Sequence, residues 1–206
     1  MTLDIFENQL RLECQRLYVS LKDGSRSEKL KNKKVNSLTD VVFIGRDNPT
    51  KICRSCIITF GSVLENSAMN YAKAMDAKVF RNKKLLSSDI DILFQIKNII
   101  HHLESKANIE LDNEKTKKAL DSLQRKHKVV FNALCCHDQG WQVVSKFVVW
   151  TKEDSIDAAI TAKHPLESKH LMGFKDYFML FGVEVTKDDF FNVIQKVWVE
   201  EVEAYL

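Results

Sequence analysis

Proline and glycine are scarce: the 206 residues contain only Pro49 and Pro165, and six glycines. This excludes collagen-like, Pro-rich and Gly/Ser-linker chains. It also argues against a Greek-key sandwich, whose many turns draw on both residues. Long apolar runs are missing too. Stretches such as Phe147-Val148-Val149-Trp150 fall far short of the roughly 18 residues that span a bilayer. The first dozen residues carry Asp4 and Glu7 and show no basic region leading into an apolar one, so they do not read as a signal peptide. No strong charge of one sign is present either. Thirty-one Lys and Arg face 28 Asp and Glu, a net of +3, which excludes a histone-like polyanion coat.

Cysteine is present in an odd number, as Cys14, Cys53, Cys56, Cys135 and Cys136. A chain this long can bury a core without disulfides, so reduced thiols and a cytoplasmic location are expected. Cys53-x-x-Cys56 and Cys135-Cys136-His137 offer five zinc-ligand types. Cys53 and Cys56 fall within an apolar stripe, where free thiols pack as small hydrophobes. No metal and no cofactor is therefore expected.

What is abundant is apolar residues at steps of three and four, which predicts an all-α, multi-helix bundle. Leu3, Phe6, Leu10, Cys14, Leu17 and Leu21 predict a helix over 2–22, stopped at Gly24. Asn48-Pro49 opens a second helix towards Ala77, with Asn as cap and Pro at the first helical position. Ser88 caps a third over 89–105 and Asp112 a fourth to about Leu134. Short helices are expected near 155–163 and 166–181, the latter closed by Gly182, and a last one starts at Thr186 with Asp189 as a capping-box partner. The stretch 142–150 is ambiguous. Its β-branched and aromatic residues favour a strand, but with no second strand in view a helix is preferred. The expected organisation is one helical domain over 1–206: helix and basic linker to 34, a core over 48–135, and C-terminal helices over 138–206.

Charge is unevenly spread. Residues 1–103 hold 17 basic and 11 acidic residues, while the last helix is acidic. The run 25–34 reads as a solvated linker or as a phosphate-contacting arm through Lys31, Lys33 and Lys34. Arg81, Lys83 and Lys84 form a second basic connector, and Arg125, Lys126 and Lys128 around His127 a ridge. The acidic C-terminal helix suits docking on a protein partner.

Lys97-Asn98-Ile99-Ile100-His101-His102 carries the most chemistry. On a helix, Lys97 and the histidines would flank an isoleucine face. Histidine exchanges protons near neutral pH and lysine steadies charge on a phosphate, as phosphodiester cleavage requires. The same residues also fit a solvated helix shoulder.

The stretch 89–102 resembles the catalytic helix of HEPN domains, with Lys97 at the motif's Arg, Asn98 at its polar position and His102 at its His. The preceding helix, with Glu65 and Asn66, is similar to the one that packs against it, and the resemblance covers about residues 50–135. It implies an all-α, usually dimeric domain acting on RNA, in many members as a metal-independent endoribonuclease of toxin or defence systems. Lys97, Asn98 and His102 would then be the catalytic residues. A non-catalytic helical module binding nucleic acid or protein is the other expectation.

Overall fold

A computed structural model describes residues 2–22, 54–80, 90–106, 113–134, 140–161 and 168–201. Within these the chain forms two compact units, one from 1–71 and 183–206 and the other from 72–182.

The first unit follows the helical periodicity. Helix α1 (Thr2–Lys22) buries Phe6, Leu10 and Cys14, and α2 (Arg54–Ala74) buries Phe60, Leu64, Ala68 and Tyr71. The last helix of the chain, Lys187–Glu201, buries Phe190, Ile194, Val197 and Trp198. Rings interlock edge to face: Phe6 meets Tyr71 at 6.0 Å and Phe60 meets Trp198 at 5.1 Å. The expected cap is present, as Thr186 Oγ1 accepts the Asp189 N–H at 3.1 Å. Arg11 pairs with Glu7, Glu200 and Glu201. The terminal carboxylates of the acidic helix thus meet an arginine of the same chain.

The second unit corrects the all-α expectation. It is an α/β unit built on a five-stranded mixed sheet, in the order β1 (Lys78–Val79), β2 (Ile92–Ile96), β3 (Ile99–Lys106), β4 (Gln142–Val149), β5 (Leu171–Gly173). The segment 89–105, expected as one helix, contains the β2–β3 hairpin. Ile96 pairs with Ile99 across a two-residue turn of Lys97 and Asn98. Lys97 adopts φ 54°, a left-handed conformation that costs an L-residue about 1 kcal/mol. Within the segment 142–150, Gln142–Val149 is a strand rather than a helix, and its partner is the strand the helical reading concealed.

β3 and β4 are parallel, joined through α3 (Asn113–Leu134); β4 and β5 are parallel, joined through α4 (Ser155–Thr161). In place of a helix over 166–181 there is a 3-10 turn at Ser168–His170, then β5, then α5 (Phe174–Met179). Gly182, expected to close that longer helix, lies at φ 71° two residues beyond Leu180, the cap of α5. A side chain at Gly173 would strike the Glu153 and Asp154 backbone, so β5 enters α5 there only as glycine.

Among the described residues, two helices and a ring cluster cover the sheet. On one face, Leu123 of α3 and Ala158 of α4 pack with Phe147, Val149 and Leu171, while Val130 packs with Leu93 and Ile100. On the other, Tyr177 of α5 meets Phe94 at 6.2 Å and Trp150 at 5.3 Å, edge to face. The α6 helix (Lys187–Glu201) belongs to the first unit. No helix among the described residues is long and apolar enough to cross a membrane.

Candidate functional site

Alternation along β3 sorts its residues to two faces. Ile100, His102, Glu104 and Lys106 point towards α3; His101, Leu103 and Ser105 point the other way. The α3 face should be apolar, and at both ends it is. Between the two apolar clusters runs a row of polar side chains. Glu104 and His102 of β3, Ser145 of β4, and Lys126 and His127 of α3 form it.

Their contacts form one chain. His127 Nδ1 lies 2.9 Å from Ser145 Oγ, and Ser145 Oγ lies 2.9 Å from His102 Nδ1. His102 Nε2 lies 3.1 Å from Glu104 Oε1. Lys126 Nζ donates to both Glu104 oxygens at 2.7 Å. His102 is fully buried and Glu104 nearly so. Burial pushes the Glu104 carboxyl up, but hydrogen bonds from His102 and Lys126 outweigh it and hold the group below the ordinary range.

Asp91 joins from the start of β2. Ile92 pairs with Leu103, so Asp91 stands beside Glu104, and its Oδ2 accepts the Ser105 N–H at 2.9 Å. Burial first, then the Glu104 charge, raise its pKa against the pull of the Ser105 N–H, Lys126 and Lys106. Lys106 shares the Glu104 face, with its Nζ 5.7 Å from the Phe147 ring centre. Two carboxylates and two ammonium groups therefore meet at the Asp91 end of the polar row. At the other end, a cavity of about 300 Å³ is lined by Leu123, Gln124, His127, Lys128, Ser145 and His170.

The residues singled out in the sequence do not assemble as a helix would place them. Lys97 and Asn98 are exposed in the hairpin turn, where Asn98 Nδ2 donates to the Gly140 carbonyl at 3.2 Å. His102 lies in mid-strand, four residues beyond Asn98, or about 13 Å along an extended chain. The helical spacing behind the HEPN-like motif is absent. Lys31, Lys33, Lys34, Arg81, Lys83, Lys84, Cys53, Cys135, Cys136 and His137 lie outside the described residues. Lys126, read from the sequence as part of a basic ridge around His127, belongs together with that histidine to the polar row.

Asp91, Glu104, Lys106 and Ser145 had no role assigned from the sequence. The signal for Glu104 and Lys106 is Glu104-Ser105-Lys106, an acid and a base two apart, which only a strand brings to one face.

Among the described residues, no group of three or more His, Cys, Asp and Glu side chains is placed to hold a metal. Two carboxylates nevertheless meet the minimum for Mg²⁺, which keeps most of its waters and is often bound by one or two carboxylates and substrate phosphate. Glu104 has about four lone-pair sites, of which His102 and Lys126 use three, leaving one on Oε2. No family model, curated protein or solved structure matches the chain.

Proposed function

We propose that the protein cleaves nucleic-acid phosphodiesters with the help of a divalent cation held by Asp91 and Glu104. The observation that carries this reading is the pair itself. Asp91 stands beside the buried Glu104, and burial first, then the Glu104 charge, raise the Asp91 pKa. Folding gains nothing from that repulsion, and a bound cation would turn it into attraction.

The cation would neutralise charge on a phosphate and polarise it towards attack. Lys106, on the same strand face, offers an ammonium to a non-bridging phosphate oxygen. Lys126 keeps Glu104 ionised and fixed in place, so the carboxylate is pre-organised before substrate arrives. His102 holds the other side of the same carboxylate and has no exposed surface, so it positions Glu104 and does not touch substrate. The expectation of action on RNA is retained within this reading. The metal-independent arrangement of Lys97, Asn98 and His102 is not, because the hairpin separates them.

The test is incubation of the full chain with labelled RNA and DNA in Mg²⁺, in Mn²⁺ and in EDTA. Cleavage should require a divalent cation and fall by at least about 10²-fold in Asp91→Asn and in Lys106→Met. Cleavage that persists in EDTA would overturn the role given to the carboxylates. No cleavage of either polymer with any divalent cation would favour a non-catalytic binding module.

A further inference from the structure

The cavity at the far end of the polar row has a chemistry of its own. Its volume of about 300 Å³ lies at the lower end of the range for small-molecule sites, more than a lone phosphate ion needs. Leu123, itself buried, gives it an apolar wall. His127 and His170 add two planar imidazoles. Gln124, His127 and Lys128 stand three and four residues apart on α3 and so share a face, with Gln124 and Lys128 exposed.

Each group matches one part of a nucleotide. Imidazole faces stack on unpaired bases. A glutamine amide both donates and accepts, and can read a base edge. A lysine ammonium meets a phosphate as a point charge. A base within a duplex stack could not enter such a cavity, whereas an unstacked or extruded one could. Ser145 links the cavity to the cleavage site, since it lines the one and hydrogen-bonds through His102 to the Glu104 of the other.

We propose that this cavity receives one unstacked nucleotide of the substrate, next to the phosphodiester held at Asp91 and Glu104. The inference rests on the nuclease reading for its substrate class and names the form of that substrate: single-stranded, or with a base turned out.

The test follows the imidazole signals of His127 and His170 by NMR in the wild-type full chain, in EDTA. Nucleoside 5′-monophosphates, ribose 5-phosphate and inorganic phosphate are titrated in turn. Nucleotides should shift both histidines, with affinity at least about tenfold above that of the two base-free phosphates. Gln124→Trp, a change at an exposed position that fills the mouth, should abolish the shifts, and Lys128→Gln should weaken binding about tenfold. An equal response to inorganic phosphate, no response to any nucleotide, or a response unchanged in Gln124→Trp would overturn the proposal. The two readings fail separately. Nucleotide binding without divalent-dependent cleavage defeats the nuclease assignment, and cleavage without nucleotide binding defeats the cavity.

Discussion

Nε2 of His102 lies 3.1 Å from Oε1 of Glu104, two positions further along the same face of β3. An ionised carboxylate only accepts hydrogen bonds, so this nitrogen carries the proton. Ser145 Oγ lies 2.9 Å from Nδ1 of His102 and 2.9 Å from Nδ1 of His127, and its single hydroxyl proton can be given to only one of them. Burial first, then the neighbouring His102, lower the His127 pKa and favour its neutral form.

Removing the charge should expose the dependence of this row on Glu104. In Glu104→Gln the Lys126 ammonium, only 14% exposed, loses its counter-charge. Breaking one side of such a pair costs about 3 kcal/mol, with the unpaired charge supplying most of it. Urea denaturation should show that loss. Adding Lys126→Met should recover more than half of it, giving a strong coupling energy in the double-mutant cycle. Additive losses would show that the pair contributes through packing alone.

The opposite face carries an acid-sensitive point. His101 stacks on Phe94 at 5.2 Å, and its buried Nδ1 has no hydrogen-bond partner. Burial, then the charge of Lys146, push its pKa down to about 4 from 6.5. The unfolded chain takes up a proton below pH 6.5 and the folded chain refuses it until about pH 4. Stability is therefore full above pH 6.5 and declines as pH falls towards 4, by up to about 3 kcal/mol for a shift of this size. His101→Phe keeps the stacking and removes the proton site. Its melting temperature should equal or exceed that of the wild type at neutral pH and exceed it clearly at pH 5.

Cys14 gives a simple check on the first unit. It is buried, and desolvation, with help from Glu201 and Glu13, pushes its thiol up to about 12. The thiolate is the reactive species, so alkylation of Cys14 in the native protein at pH 8 should be at least about 10²-fold slower than in urea. Peptide mapping after a short iodoacetamide pulse measures this. Modification of Cys14 at the denatured rate would place it at the surface.

Helices that bury one stripe were legible in the sequence. The cap at Thr186, the α1 stripe and the span of α3 all follow from spacing and cap chemistry. The β2–β3 hairpin was not, and the reason is physical. Both strands are inner strands covered on two faces, so apolar residues occupy both sides and the period of two is blurred. Ile92, Ile96, Ile99, Ile100 and Leu103 then fall by coincidence at helical steps. What distinguishes the hairpin is the polar pair Lys97-Asn98 between two apolar runs, which occupies a two-residue turn without the glycine that usually marks one. Missing that turn also hid the site, because Asp91 meets Glu104 only when β2 folds back on β3.

Asp91 leads to the last prediction, in which the sign of a pH effect reverses with the cation. Its folded pKa is raised by burial and by Glu104. Without metal, the unfolded chain ionises Asp91 more readily than the folded one. Its contribution to stability is then fully present below the ordinary carboxyl pKa, 3.8, and is lost as pH rises through the raised folded value. Asp91→Asn should therefore be more stable than the wild type at neutral pH in EDTA. A cation must displace the Asp91 proton. Below the raised pKa its affinity should fall about tenfold per pH unit, and above it the affinity should level off. With saturating Mg²⁺ the wild type should melt higher at pH 7.5 than in EDTA, since a ligand of the folded state stabilises it by mass action. That gain should shrink as pH falls through the Asp91 titration and be missing at all pH values in Asp91→Asn. Scanning the melting temperature against pH, with Mg²⁺ and with EDTA, gives all four curves. A Mg²⁺ gain of equal size in Asp91→Asn would place the cation elsewhere and separate Asp91 from the chemistry.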